Sequence, residues 1–544
     1  MSDGRISEVP TKAHVPFGGP DISIALAFIV VLALVFVLGG IIGSVLRRKY
    51  LAGILLILLG FPGVALLAEG GIRVSRWLLV PSFNDETFQI FAVGGSTMQG
   101  APYPPRFSPP AFLSSVFDGW IGARPIEIRN IARHGWSVCS ESVLLERAVA
   151  GRDPGIPGVL MVYAGHNEGR VFPGSSGPSG LLDEIENVSA AVREWRLVFP
   201  PALDPINQFS RSETCLRRVI KTALGAGLVP LLSTAPSNHS GMEPTVPLDI
   251  DPGSARMVLA AGRALEDEGR LEEASAAYLK NSSDDGLGAL LAFRAAGCLH
   301  RAGLVREAAE LYDRAIDIDL RTRFGRASAA QNDLIRRLAN EYRVPLVDTD
   351  RRFRAASPDG IPGNELFSDG HHPSLRGYRL MADSYAQAVT RVFRQPPIRA
   401  FDASEDPCQT LVCSLEVQAS AHVAAANWRI AASVRHPDPR EALAAASQHL
   451  QRAIELVPND PAPWLGMAVL DAAQRGGMLW DESDIERLSQ WNFGFSGHPC
   501  VSAGRQEGML VRMRELEVAP GILKQIKMLW ESKAEDCPET GGDS

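Results

Sequence analysis

Residues 89–100 read QIFAVGGSTMQG, an apolar run that meets two glycines, a serine and then small residues. QIFAV reads as a strand, because short apolar runs bounded by glycine mark buried strands. Four further runs have the same form: IEIRNIA (126–132), GVLMVYAG (158–165), GLVPLLSTA (227–235) and VPLVDTD (344–350). Helical stretches such as Ser140 to Val149 and Glu213 to Leu224 lie between them. Alternation of this kind predicts an α/β fold with a parallel sheet covered on both faces. Ligands of such sheets bind beyond the carboxyl ends of the strands, and Ser96 stands at one of those ends.

The chain has 544 residues, 46% of them hydrophobic, enough for several cores. With 54 basic and 62 acidic residues the formal charge is −8, which offers no basic field for nucleic acid. Seven cysteines without CxxC spacing fit neither a disulfide scaffold nor a zinc array. Cys408 with Cys413, and Cys500 with Cys537, are candidates to pair in an oxidising compartment, which leaves Cys139, Cys215 and Cys298 as buried thiols.

Uncharged runs at 22–46 and 50–68, after an N-terminal tail (1–21), predict a transmembrane hairpin within 22–70. Arg47, Arg48 and Lys49 between them place that short loop in the cytoplasm by the positive-inside rule. The remainder would then face the periplasm from a bacterial cytoplasmic membrane.

Other strand ends carry polar residues of a particular kind. Gly135 follows the second run, Asn167 the third in GHNEGR, and Asp369 and His372 occur in SDGHHPSLRGY. Taken with Gly94-Gly95-Ser96, this set resembles the SGNH, or GDSL-like, hydrolase superfamily, whose blocks carry Ser, Gly, Asn and His in that order. Gly95 stands where the family's first block usually has Asp. GGST, Y-x-GHNE and DG-x-HPS together look like a membrane-anchored bacterial subgroup with embedded tetratricopeptide units. The resemblance implies a three-layer, flavodoxin-like hydrolase domain in two parts, 86–250 and 321–396.

It also implies roles. Ser96 would be the nucleophile, His372 the base that takes its proton, and Asp369 the carboxylate that orients the imidazole; a serine hydroxyl is unreactive without such help. The Ser96 and Gly135 N–H groups and the Asn167 amide would receive the oxyanion. His166, His371 and Arg323 are candidate substrate contacts. No metal or other cofactor is expected, since no second ligand accompanies His166 at the usual spacing. Taken singly, Ser96 also reads as a helix N-cap, Asn167 as a turn cap and Gly135 as a C-cap.

Residues 251–320 interrupt the sheet pattern. ALEDEGRLEEASAAYLK (264–280) lies over CLHRAGLVREAAELYDR (298–314) at a period of 34, pairing Ala274 with Ala308 and Tyr278 with Tyr312. That period resembles tetratricopeptide repeats and implies an all-α insertion with a protein partner. A third unit, 441–470, belongs to a C-terminal helical region (397–544). The expected activity is a serine esterase acting on an acylated envelope or extracellular substrate, with a glycan as one candidate. An O-acyltransferase using the same triad, and a catalytically silent repeat scaffold, are the alternatives.

Overall fold

A computed structural model describes residues 83–168, 205–244, 252–280, 287–319, 325–398, 408, 413–433, 436–476, 503–515 and 517–533. Strands β1 (Phe88–Val93), β2 (Trp120–Ile121), β3 (Arg124–Asn130), β4 (Gly158–Tyr163), β5 (Val229–Ser233) and β6 (Leu346–Val347) form one sheet in the order β2-β3-β1-β4-β5-β6. Four pairings, β3–β1, β1–β4, β4–β5 and β5–β6, run parallel, with Phe91 opposite Arg129 on one side and Leu160 on the other.

Two corrections follow. The sheet is mixed, not parallel: β2 pairs antiparallel with β3, Trp120 opposite Pro125 and Ile121 opposite Arg124. The reason is local, since the two-residue connection Gly122-Ala123 allows only an antiparallel return, and a two-residue strand shows no periodicity. Helix outweighs strand throughout the described chain, so a three-layer flavodoxin-like domain with transmembrane helices is not the right description of it. Among the described residues no helix is long and apolar enough to cross a membrane. The tail 1–21 and the runs 22–46 and 50–68 lie outside the described residues.

Side chains alternate across the strands, as a pleat requires. Phe88, Ile90 and Ala92 of β1 and Val159 and Met161 of β4 enter one core with helices α2 (Pro109–Val116) and α11 (Leu375–Phe393). Phe91, Val93, Leu160 and Val162 enter the opposite core with α3 (Val138–Ala148), α4 (Pro205–Gly225) and α9 (Ala329–Tyr342). Helix α1 (Gly95–Gln99) follows β1 directly, and α10 (Thr349–Ala356) follows β6.

Cys139 of α3 and Cys215 of α4 form a disulfide, as do Cys408 and Cys413; Cys298 is a buried free thiol. Reading Cys139 and Cys215 as buried thiols is therefore corrected, while Cys500 and Cys537 lie outside the described residues. The two cysteines are 76 residues apart in sequence, and nothing in their local contexts marks them as partners. A loop of that length makes the bond matter for stability. Cys139→Ser is expected to lower unfolding stability by about 2–5 kcal/mol, read from the denaturant midpoint under non-reducing conditions. A midpoint that does not move would remove this bond from the account.

Between β5 and β6 the chain forms helices α5 (Pro252–Asp267), α6 (Leu271–Lys280), α7 (Gly288–Arg301) and α8 (Val305–Ile318). Ala274, Ala308, Tyr278 and Tyr312, the residues that recur at 34, are all buried. Helices α12 (Leu415–Ser433), α13 (Arg440–Leu456), α14 (Pro461–Gly476), α15 (Ala503–Glu515) and α16 (Pro520–Lys533) follow α11. Glu441 of α13 ion-pairs with Arg263 and Arg294 at 2.9 Å each, tying α13 to α5 and α7.

Candidate active site

The carboxyl ends of β3, β1 and β4 are neighbours, and three loops meet there. Ser96 lies in the first turn of α1. Its N–H therefore has no helical carbonyl four residues back to bond. The cap of this helix is Gly94, with no side-chain cap bond, so Ser96 does not serve as the N-cap. Its hydroxyl instead meets His372 Nε2 at 2.8 Å.

His372 comes from the loop before α11. Its Nδ1 bonds Asp369 Oδ2 at 2.7 Å, and Asp369 Oδ1 accepts the backbone N–H groups of His371 (2.9 Å) and His372 (2.8 Å). The three-residue offset thus lets one turn hold both groups. Serine, imidazole and carboxylate form a continuous buried chain. Burial alone would raise the Asp369 carboxyl, but the adjacent His372, the bond from its ring and the His371 side hold it well below the ordinary carboxylate range.

Gly135 has φ +72°, and a Cβ there would project into open space. Asn167 is held by its side chain, which donates from Nδ2 to Trp136 O at 3.0 Å; the second hydrogen of that amide is left for another acceptor. Gly95 decides how close the amide comes. Its φ is +62°, and a Cβ at this position would lie 2.7 Å from Asn167 Nδ2 and 3.1 Å from Trp136 O. Gly95→Ala is thus expected to displace the amide and to destabilise the fold by about 1–3 kcal/mol. A thermal melt checks this, and a wild-type melting temperature in the variant would overturn this account of Gly95.

Two buried glutamates brace these loops. Glu168 accepts the N–H groups of Gly165 (2.6 Å), Val138 (2.9 Å) and Asn167 (3.1 Å), joining the β4 loop to the start of α3. Glu141 of α3 accepts from Gly94 (2.6 Å), Gly95 (2.9 Å) and Arg133 (2.8 Å). Burial pushes the carboxyls of Glu141 and Glu168 up, and the backbone N–H donors on each pull the other way.

The remaining candidates divide. His371 is buried with its ring centroid 4.0 Å from that of His372, and burial followed by the charge of His372 drives its pKa well below the ordinary imidazole value. His166 Nε2 meets Tyr163 Oη at 2.8 Å and its Nδ1 meets Gly325 O at 3.2 Å, so both ring nitrogens have partners within the protein. Arg323 lies outside the described residues.

Several residues near the site had not been singled out from the sequence. The exposed His134 ring stacks 6.1 Å from His372 at 16°. Trp428 of α12 lies 5.8 Å from His372 and 6.2 Å from His371, centroid to centroid. The next residue, Arg429, donates to Ser368 O (2.7 Å) and Asn364 Oδ1 (2.9 Å). Asn238, after β5, donates to Asp369 O at 2.8 Å. His134 and Asn238 stood at strand ends, where the sheet rule directs attention; Trp428 and Arg429 are ordinary helix residues in sequence.

Ligand atoms of Asp369, His371 and His372 lie within 4.8 Å of one another, the one such group among the described residues. A metal held there through His372 would displace its bond to Asp369 or to Ser96. No model of a known protein family, no curated protein and no solved structure gives a significant match to this chain.

Proposed function

We propose that the protein is a serine-dependent hydrolase of acyl esters working through an acyl-Ser96 intermediate. The observation that carries this reading is the buried chain from Ser96 through His372 to Asp369, with the open Gly135 loop and the Asn167 amide beside it. In the proposed course His372 Nε2 accepts the Ser96 proton as Oγ attacks the carbonyl carbon. The carbonyl oxygen gains the charge and is met by the Ser96 and Gly135 N–H groups and Asn167. His372 then gives its proton to the departing alcohol, and water repeats the sequence to release the acid. Asp369 keeps the imidazole in the tautomer that presents a lone pair to serine.

The two disulfides support an oxidising compartment as the place of action, since such bonds are rare in the cytosol. An acylated molecule outside the cytoplasm is accordingly the substrate class we propose. The test uses the purified full-length chain with p-nitrophenyl acetate and a fluorophosphonate probe. Nitrophenol release and a probe adduct on the Ser96 peptide are expected. Absence of both would sink the reading.

A further inference from the structure

We propose that Glu141 is a positioning residue of this reaction, whose carboxylate locks together the loops that carry Ser96 and Gly135. The inference rests on the hydrolase reading above and adds a residue outside its triad and its oxyanion donors. Glu141 is fully buried on α3. Oε2 accepts Gly94 N–H at 2.6 Å, and Oε1 accepts Gly95 N–H at 2.9 Å and Arg133 N–H at 2.8 Å. Gly94 and Gly95 immediately precede Ser96, while Arg133 is two residues before Gly135.

One side chain thereby fixes two backbone segments that each supply an N–H to the expected oxyanion. It takes the N–H groups next to the catalytic ones and leaves those of Ser96 and Gly135 for the substrate. Oxyanion stabilisation depends on donors held in place before the charge develops, because rearranging them during the reaction costs what binding would gain. Only an acceptor on both oxygens suits three converging donors. In Glu141→Gln an NH₂ group replaces one oxygen and confronts a backbone N–H, so one loop must move. The Cys139–Cys215 disulfide, two residues earlier on the same helix, fixes the position from which Glu141 reaches.

The experiment compares kcat and KM for p-nitrophenyl acetate in full-length wild type, E141Q and Leu145→Ala, below the melting temperature of all three. Leu145 is a buried core residue on α3 that bonds nothing in the site. E141Q is expected to lose about 10²-fold in kcat with KM held within about twofold. Leu145→Ala is expected to lose thermal stability yet keep kcat within about threefold. Equal losses of kcat in the two variants would reduce Glu141 to a structural residue, and wild-type kcat in E141Q would overturn the inference outright. Should E141Q not fold, Glu141→Asp replaces it, since the shorter carboxylate cannot span both loops: a kcat tenfold lower supports the inference and an unchanged one overturns it. Wild type that takes no probe and releases no product defeats the hydrolase reading, and this inference with it; active wild type with an unaffected E141Q defeats this inference alone.

Discussion

Ser96→Ala is expected to lower kcat by about 10⁶-fold, to abolish fluorophosphonate labelling, and to leave the fold intact. The size follows from the site. Ser96 Oγ meets the His372 imidazole at 2.8 Å, and removing it takes away the atom on which the acyl group would ride. The residual rate would come from the oxyanion donors acting on a water held by His372. The side chain is buried and small, and its only described side-chain bond is to His372, so the melting temperature should move little. Labelling that persists in this variant at the wild-type rate would show that another residue is the nucleophile.

Asp369→Asn should cost about 10⁴-fold in kcat. The carboxylate makes three bonds, one from the His372 ring and two from backbone N–H groups, and an amide can accept at only one of its two heavy atoms. An amide also favours the wrong imidazole tautomer. Here stability should fall as well, because the two backbone donors sit in a buried turn braced by Asn238 and Arg429. The pH dependence has a definite sign. The Asp369 carboxyl is depressed in the folded state, so its contribution to stability is complete above the unfolded-chain value of about 3.9 and is lost as pH falls below it. Urea midpoints measured from neutral pH down into the acid range for wild type and Asp369→Asn read this loss. If the variant retains the wild-type loss of stability on the acid side, Asp369 is not its source.

Local features were the readable ones. The strand of residues 88–93 and its glycine-rich end could be read because a short apolar run and a glycine break are properties of consecutive residues. The turn from Asp369 to His372 was readable for the same reason, since its bonds span two or three positions. Strand β2 was not readable, being two residues long. Nor were the roles of His166, whose neighbours Tyr163 and Gly325 are 3 and 159 residues away, or of Arg429, whose bonds reach 61 and 65 residues back.

By itself the sequence determined where strands end, which polar residues stand there, and that Asp369 and His372 share one turn, because backbone sterics and side-chain period act over a few residues. Only the tertiary structure decided which ends meet. Ser96 and His372 are 276 residues apart, Glu141 reaches back 46 and 47 residues to Gly95 and Gly94, and Cys139 finds Cys215 across 76. Those meetings depend on the strand order β3-β1-β4 and on the packing of α3 against α4. Such packing is a collective result of burying two apolar faces at once, and no short stretch of sequence records it.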